Sequence, residues 1–209
     1  MKTLRTFLLF ITCLIMCSCQ PKMSLQEMST RDLYQISMKH PAKAGIFAFN
    51  DPCATGICDF KDHCPEFREL WNRSDFAVFL LDEYSKYDVL AIDPDWEILQ
   101  VGEYTFTILY IEFFLAQQNI MNQLDTYGVR ILKEMAVSNY QKKKTLPEVY
   151  GMGLWSTAAV CTRILIKEKP ELFDDWRLFE ARRFTCGQAF EDEMKFGDEM
   201  VELLTTIEL

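Results

Sequence analysis

Histidine is almost missing from this 209-residue chain: only His40 and His63 are present. Any Ser-His or Cys-His nucleophile must therefore use one of these two. Neither follows a glutamate three residues earlier, since position 37 is Ser and position 60 is Phe. That removes the carboxylate-histidine pairs of di-iron helix bundles. No His-Glu-x-x-His zinc motif and no phosphate-cradling Gly-Lys-Ser/Thr loop occurs. The acidic run Asp93/Asp95/Glu97 lacks the glycine that a calcium loop needs at its sixth position. Positive charge is also short, 22 Lys and Arg against 31 Asp and Glu for a net −9. Phosphate backbones repel such a chain, so nucleic acid is excluded as the expected partner. There is no internal repeat and no low-complexity linker.

What is present begins with the leader. Lys2 and Arg5 precede an apolar run from Phe7 to Met16 that is interrupted only by Thr12, and Ser18-Cys19 closes it. The run falls far short of the roughly 20 residues a membrane-spanning helix needs, and the three-part pattern is that of a secretory signal. The Ser18-Cys19 junction resembles the lipobox of bacterial lipoproteins, in which a small residue precedes a cysteine that is lipidated and becomes the new N-terminus. Two registers compete. Cys17 has Leu14 at the outer position but bulky Met16 just before it; Cys19 has Ser18 before it, and is the preferred lipidation site. The resemblance implies a signal peptide over 1–18 and a lipid-anchored tether over 19–22, which leaves residues 23–209 as the folded domain. It also implies membrane attachment through the N-terminal lipid. With no aspartate following Cys19, it points to the outer membrane, facing the periplasm. Loss of Lys2 and Arg5 takes the formal charge to about −11, because residues 1–18 contain no acid.

Residues 23–209 read as one all-α domain of six or seven helices. Sixteen Phe and four Trp suffice for a core that folds without help from metal or disulfides, and no cofactor is expected. Ser24 and Glu27 form a capping-box pattern, and Leu25, Met28, Leu33 and Ile36 follow at helical spacing until His40-Pro41. Residues 41–64 show no sustained period and are expected to form an ordered loop after this first helix. Pro65 opens a second helix to about Tyr87, and the segment from Glu103 to Ala116 is apolar nearly all round, the mark of a central helix. Helical period continues over 124–143, with Lys142-Lys143-Lys144 placing cations in the last turn. Thr145 and Glu148 flank Pro147 at the start of a helix to Lys169, in which Gly151 and Gly153 allow close approach of a neighbour. A helix over 171–183, a break at Cys186-Gly187 and a last helix complete the chain.

The sharpest chemical feature is Cys53-x4-Cys58-x4-His63-Cys64. Three thiols and an imidazole within twelve residues admit a disulfide or a tetrahedral metal site. An exported chain sits where thiols pair, so at least one disulfide among Cys53, Cys58 and Cys64 is the first expectation. Cys161 and Cys186 are free to pair with each other or with this loop. Glu112 lies in the most apolar segment and Arg163 in the run Cys161 to Ile166, and the two are expected to meet as a buried ion pair.

No catalytic constellation emerges, so the expected function is a lipid-anchored interaction module: an adaptor, inhibitor or neutralising partner for a protein whose identity the sequence does not name. A ligand- or metal-binding module built on the 45–64 Cys/His loop, or an enzyme using Glu112 or His63, are the alternatives.

Overall fold

Ser29 opens the first helix. Its side chain accepts the Asp32 N–H at 3.1 Å, satisfying one of the donors that every helix start leaves free, and α1 (Thr30–Lys39) runs until His40 and Pro41 end it. The Ser24/Glu27 pair does form, Ser24 N–H donating to Glu27 at 2.9 Å, but it closes an isolated turn ahead of the helix. The computed structural model describes residues 24–48, 51–188 and 192–208. The leader, Cys17, Cys19 and the 19–22 tether lie outside them.

The expected loop at 41–64 is instead helical for most of its length. A 3-10 helix (Pro41–Ala48), a π-helical turn (Pro52–Gly56) and α2 (Ile57–His63) follow one another. None is long enough to leave a readable apolar stripe, which is why the sequence here shows no period. Two of these pieces touch at Gly56, where an added Cβ would sit 2.3 Å from the Ile46 carbonyl oxygen, so only glycine fits.

The second helix is two, α3 (Pro65–Trp71) and α4 (Phe76–Tyr84). The break is held by polar contacts to the N-terminal segment. Arg73 Nη2 donates to the Leu25, Gln26 and Met28 carbonyls at 2.9, 3.1 and 3.3 Å, and Thr30 Oγ1 donates to Asp75. Such splitting raises the number of α-helices to ten among the described residues, where six or seven were expected. No strand occurs among them, and the all-α single domain stands.

The centre is made by α5 (Ile98–Leu115) and α8 (Pro147–Glu168). Both are long and apolar enough to cross a membrane by length and composition alone; here they pack on each other, and Ile108–Ala116 and Ser156–Leu165 are buried on every side. Around α8 stand α7 (Thr126–Lys143), α9 (Asp175–Thr185) and α10 (Glu193–Thr206), with the single turn α6 (Gln118–Met121) below α5. The capping box expected at Thr145/Glu148 does not form, since Thr145 Oγ1 donates to the Lys142 carbonyl and Leu146 stands at the cap. α8 bends at Tyr150 (φ −111°, ψ 27°). The break after α9 is at Gly187, whose φ of 73° suits glycine.

Candidate functional site

Glu112 sits in the fully buried half of α5, where an unpaired carboxylate would be prohibitive. Its partner is Lys143, the last residue of α7, which is also fully buried. Lys143 Nζ lies 2.7 and 2.8 Å from the two Glu112 oxygens, and donates further to Thr157 Oγ1 at 2.8 Å and the Gly153 carbonyl at 3.1 Å. Tyr84 OH donates to Glu112 at 2.6 Å, Thr157 Oγ1 lies 2.8 Å from it, and Ser156 Oγ donates to its second oxygen. The Tyr150 ring lies over Lys143 Nζ at 5.3 Å. Every hydrogen-bonding position of the pair is filled.

Burial pushes the Lys143 ammonium below its ordinary value, and the Glu112 carboxylate pulls it back up. The same burial, reinforced by Glu112, drives the Tyr84 phenol well up. Cys161 nearby is raised for the same reasons and is an inert buried thiol. With donors and acceptors saturated and no exposed edge, the cluster pins α4, α5, α7 and α8 together. It presents no group to a substrate.

The expected Glu112–Arg163 pair is therefore not made. Arg163 lies six residues beyond Thr157 on α8, about 9 Å along the axis. There its Nε donates to the Ala116 carbonyl and its Nη2 to Thr185 Oγ1, each at 2.6 Å. It closes the C-terminal ends of α5 and α9, where the helix dipoles favour a cation. The signal for Lys143 was in the sequence: Val129, Leu132, Ala136, Tyr140 and Lys143 follow at spacings of three and four on one buried face. The Lys142-Lys143-Lys144 tract reads as three cations in a last helical turn, favoured by the dipole, and that reading does not single out the one that turns inward.

The cysteine expectation is also redrawn. Cys53 pairs with Cys186 at the end of α9, with Cα atoms 5.2 Å apart, and no disulfide joins Cys53, Cys58 and Cys64 to one another. Helical structure explains this. Cys58 is exposed on α2, while Cys64 is buried beyond its end with Sγ 3.9 Å from Ser37 Oγ. The ring of His63 is exposed and turned back onto its own helix, with Nδ1 2.8 Å from the Asp59 carbonyl oxygen. The four side chains do not converge, and no group of three or more His, Cys, Asp or Glu is placed to hold a metal among the described residues. Of the two early α8 glycines, a Cβ added at Gly153 would sit 3.0 Å from the Tyr150 ring and 3.6 Å from Lys143 Nζ, whereas one added at Gly151 would face open space.

Outside this sealed interior, the bent start of α8 carries an apolar surface that the sequence reading missed. Met152 is 53% exposed and stands between two cavities. One, of about 410 Å³, is lined by Phe47, Trp155 and Met194; the other, of about 170 Å³, by Phe106 and Leu109. Along α5 the surface continues to Leu99, which is 78% exposed. Glu193 stands in the wall of the larger cavity. Comparison with protein-family profiles, with curated proteins and with solved structures found no match to this chain.

Proposed function

We propose that this chain is a lipid-anchored envelope protein, attached through Cys19 to the outer membrane, whose helical domain binds an apolar, basic helical segment of a partner protein. The observation that carries this reading is the groove centred on Met152. Leu99, Phe106 and Met152 repeat along two neighbouring helices as exposed large apolar residues, a pattern that soluble surfaces otherwise keep scattered. Methionine and tryptophan are side chains that adapt to or anchor a partner. Glu193 in the groove wall favours the partner's sign, because it attracts lysine and arginine flanks and repels an acidic segment. The occupant that fits is an amphipathic helix with an apolar face and basic edges. The sealed Glu112–Lys143 cluster supports binding over catalysis, since the most chemically loaded part of the interior has no opening.

Two measurements test the two halves of this reading. Titration of Trp fluorescence with a Leu/Lys amphipathic peptide should saturate, a Leu/Glu peptide of the same pattern should not bind, and Met152→Asp should weaken the Leu/Lys peptide at least tenfold. Equal binding of both peptides, or no effect of Met152→Asp, removes the groove reading. Replacing Cys19 by Ala should leave unprocessed precursor or release the protein from membranes; unchanged maturation and partitioning assigns the anchor to Cys17 or to no lipid.

A further inference from the structure

The arginines of the described residues fall into three groups. Arg31, Arg68 and Arg73 have a carboxylate oxygen within 4 Å, at 3.3, 3.6 and 3.0 Å from Glu83, Asp62 and Glu69. Arg130, Arg177 and Arg183 lie over aromatic rings, those of Tyr127, Phe173 and Phe179, at 5.3, 6.0 and 5.7 Å. Arg163 and Arg182 have neither among the described residues, and both line the same cavity, of about 490 Å³. In a chain where acids outnumber bases 31 to 22, two uncompensated guanidiniums at one place is the arrangement least expected by chance.

The rest of the cavity agrees with this charge. Among the described residues its wall contains no carboxylate, and Gln118, Asn119 and Asn122 supply exposed amides that both donate and accept. Arg163 is 5% exposed and held from behind by the Ala116 carbonyl and Thr185, which fixes the guanidinium plane. Arg182 is exposed on the last turn of α9, and its own carbonyl accepts from Thr185 Oγ1 at 3.1 Å. Cys186, at the cavity rim, is stapled to Cys53, so the end of α9 that carries Arg182 is tied to the rest of the domain. Burial and, second, the neighbouring Arg182 bring the Arg163 guanidinium down to about 10, still charged at neutral pH and lacking an anion.

We propose that this cavity binds a small organic oxyanion, its carboxylate or phosphate on Arg163 and Arg182 and its hydroxyl or amide groups on Asn119, Asn122 and Gln118. Paired guanidiniums match the planar, bidentate geometry of such groups, and the volume exceeds that of a bare inorganic ion, falling in the range of small-molecule sites. The site is separate from the Met152 groove and stands whether or not that groove binds a peptide.

The test is calorimetric titration of the full chain at low salt with three probes that share one sugar ring: D-glucuronate, glucose 6-phosphate and neutral glucose. At least one of the two anions should bind, glucose should not, and the anion that binds tells carboxylate from phosphate. Arg182→Gln, at an exposed position, should keep the circular-dichroism melt of the wild type and weaken binding at least tenfold. Asn119→Asp, which places a negative charge at the cavity wall, should do the same. Absence of binding by both anions at 10 mM probe, on the order of the weakest useful affinity, overturns the proposal. So does equal binding of glucose, or affinity unchanged in both variants.

Discussion

Two cations are buried against the same central helix pair, and the fold surrounds them in opposite ways. Lys143 is enclosed with a full carboxylate and saturated on all three protons; Arg163 is held by neutral oxygens at two helix ends and opens onto a cavity shared with a second arginine. A cation with its counter-charge already inside has nothing left to offer a ligand. One whose neighbours are only carbonyls, hydroxyls and another cation keeps its affinity for an anion. The difference separates a pin from a site, although both residues read in the sequence as charges in apolar surroundings.

That contrast orders the expected effects of substitution. Lys143→Met orphans a buried carboxylate and should lower stability in urea melts by about 3–5 kcal/mol; a loss under about 1 kcal/mol means Glu112 reaches water and the cluster is not sealed. Loss of the Cys53–Cys186 staple through paired serine substitutions should cost about 2–4 kcal/mol, because it closes a loop spanning 133 residues of sequence. An unchanged melt under reducing and oxidising conditions argues that the bond does not form. Arg163→Met orphans only neutral groups, the Ala116 carbonyl and the Thr185 hydroxyl, so its cost should be about 1–3 kcal/mol. A loss as large as that of Lys143→Met would erase the distinction between the two cations.

The smallest effect belongs to the surface. Asp198 accepts from Tyr140 OH at 2.8 Å and from Lys144 Nζ at 2.7 Å, and the Lys144 bond holds its carboxyl below the usual aspartate value. Because the folded value is depressed, its stabilisation is fully present above the unfolded value near 3.8 and is lost as pH falls through the folded one. Half-exposed as the pair is, Asp198→Asn should cost about 1 kcal/mol or less at neutral pH. That difference should vanish in melts at the acid end of the range; a difference that persists there points to lost packing.

Much of the architecture was legible because long helices write a long period. The central run to Ala116, the helix to Lys143 and the one opening at Pro147 were all anticipated, as was the break at Cys186-Gly187. Short elements were not: a seven-residue helix such as Ile57–His63 completes two turns and is bounded by its contacts, Gly56 against Ile46 among them. The site was legible only by half. Glu112 stands out because a carboxylate in an apolar helix demands a partner, but which cation reaches it depends on how the fold sets the end of α7, with Lys143, against α8, with Arg163. Arg163 stands out for the same reason but pairs with Ala116 and Thr185 instead, and Arg182 and the Met152 surface carry no mark in the sequence. Their significance lies in what the fold leaves uncovered, and no spacing rule encodes that.

The central claim, that the Glu112–Lys143 pair is a sealed structural pin, is tested most directly by a double-mutant cycle in urea with Glu112→Leu, Lys143→Met and the two combined. In the combined variant Ser156 and Thr157 keep the Gly153 carbonyl as an acceptor, and of the groups that donate to Glu112 the Tyr84 hydroxyl is the one that loses its acceptor. The account predicts that each single change costs about 3–5 kcal/mol while the double variant recovers most of that loss, giving a coupling of about 2 kcal/mol or more. Single effects that add to within about 0.5 kcal/mol would contradict it, because residues that do not depend on each other behave in that way.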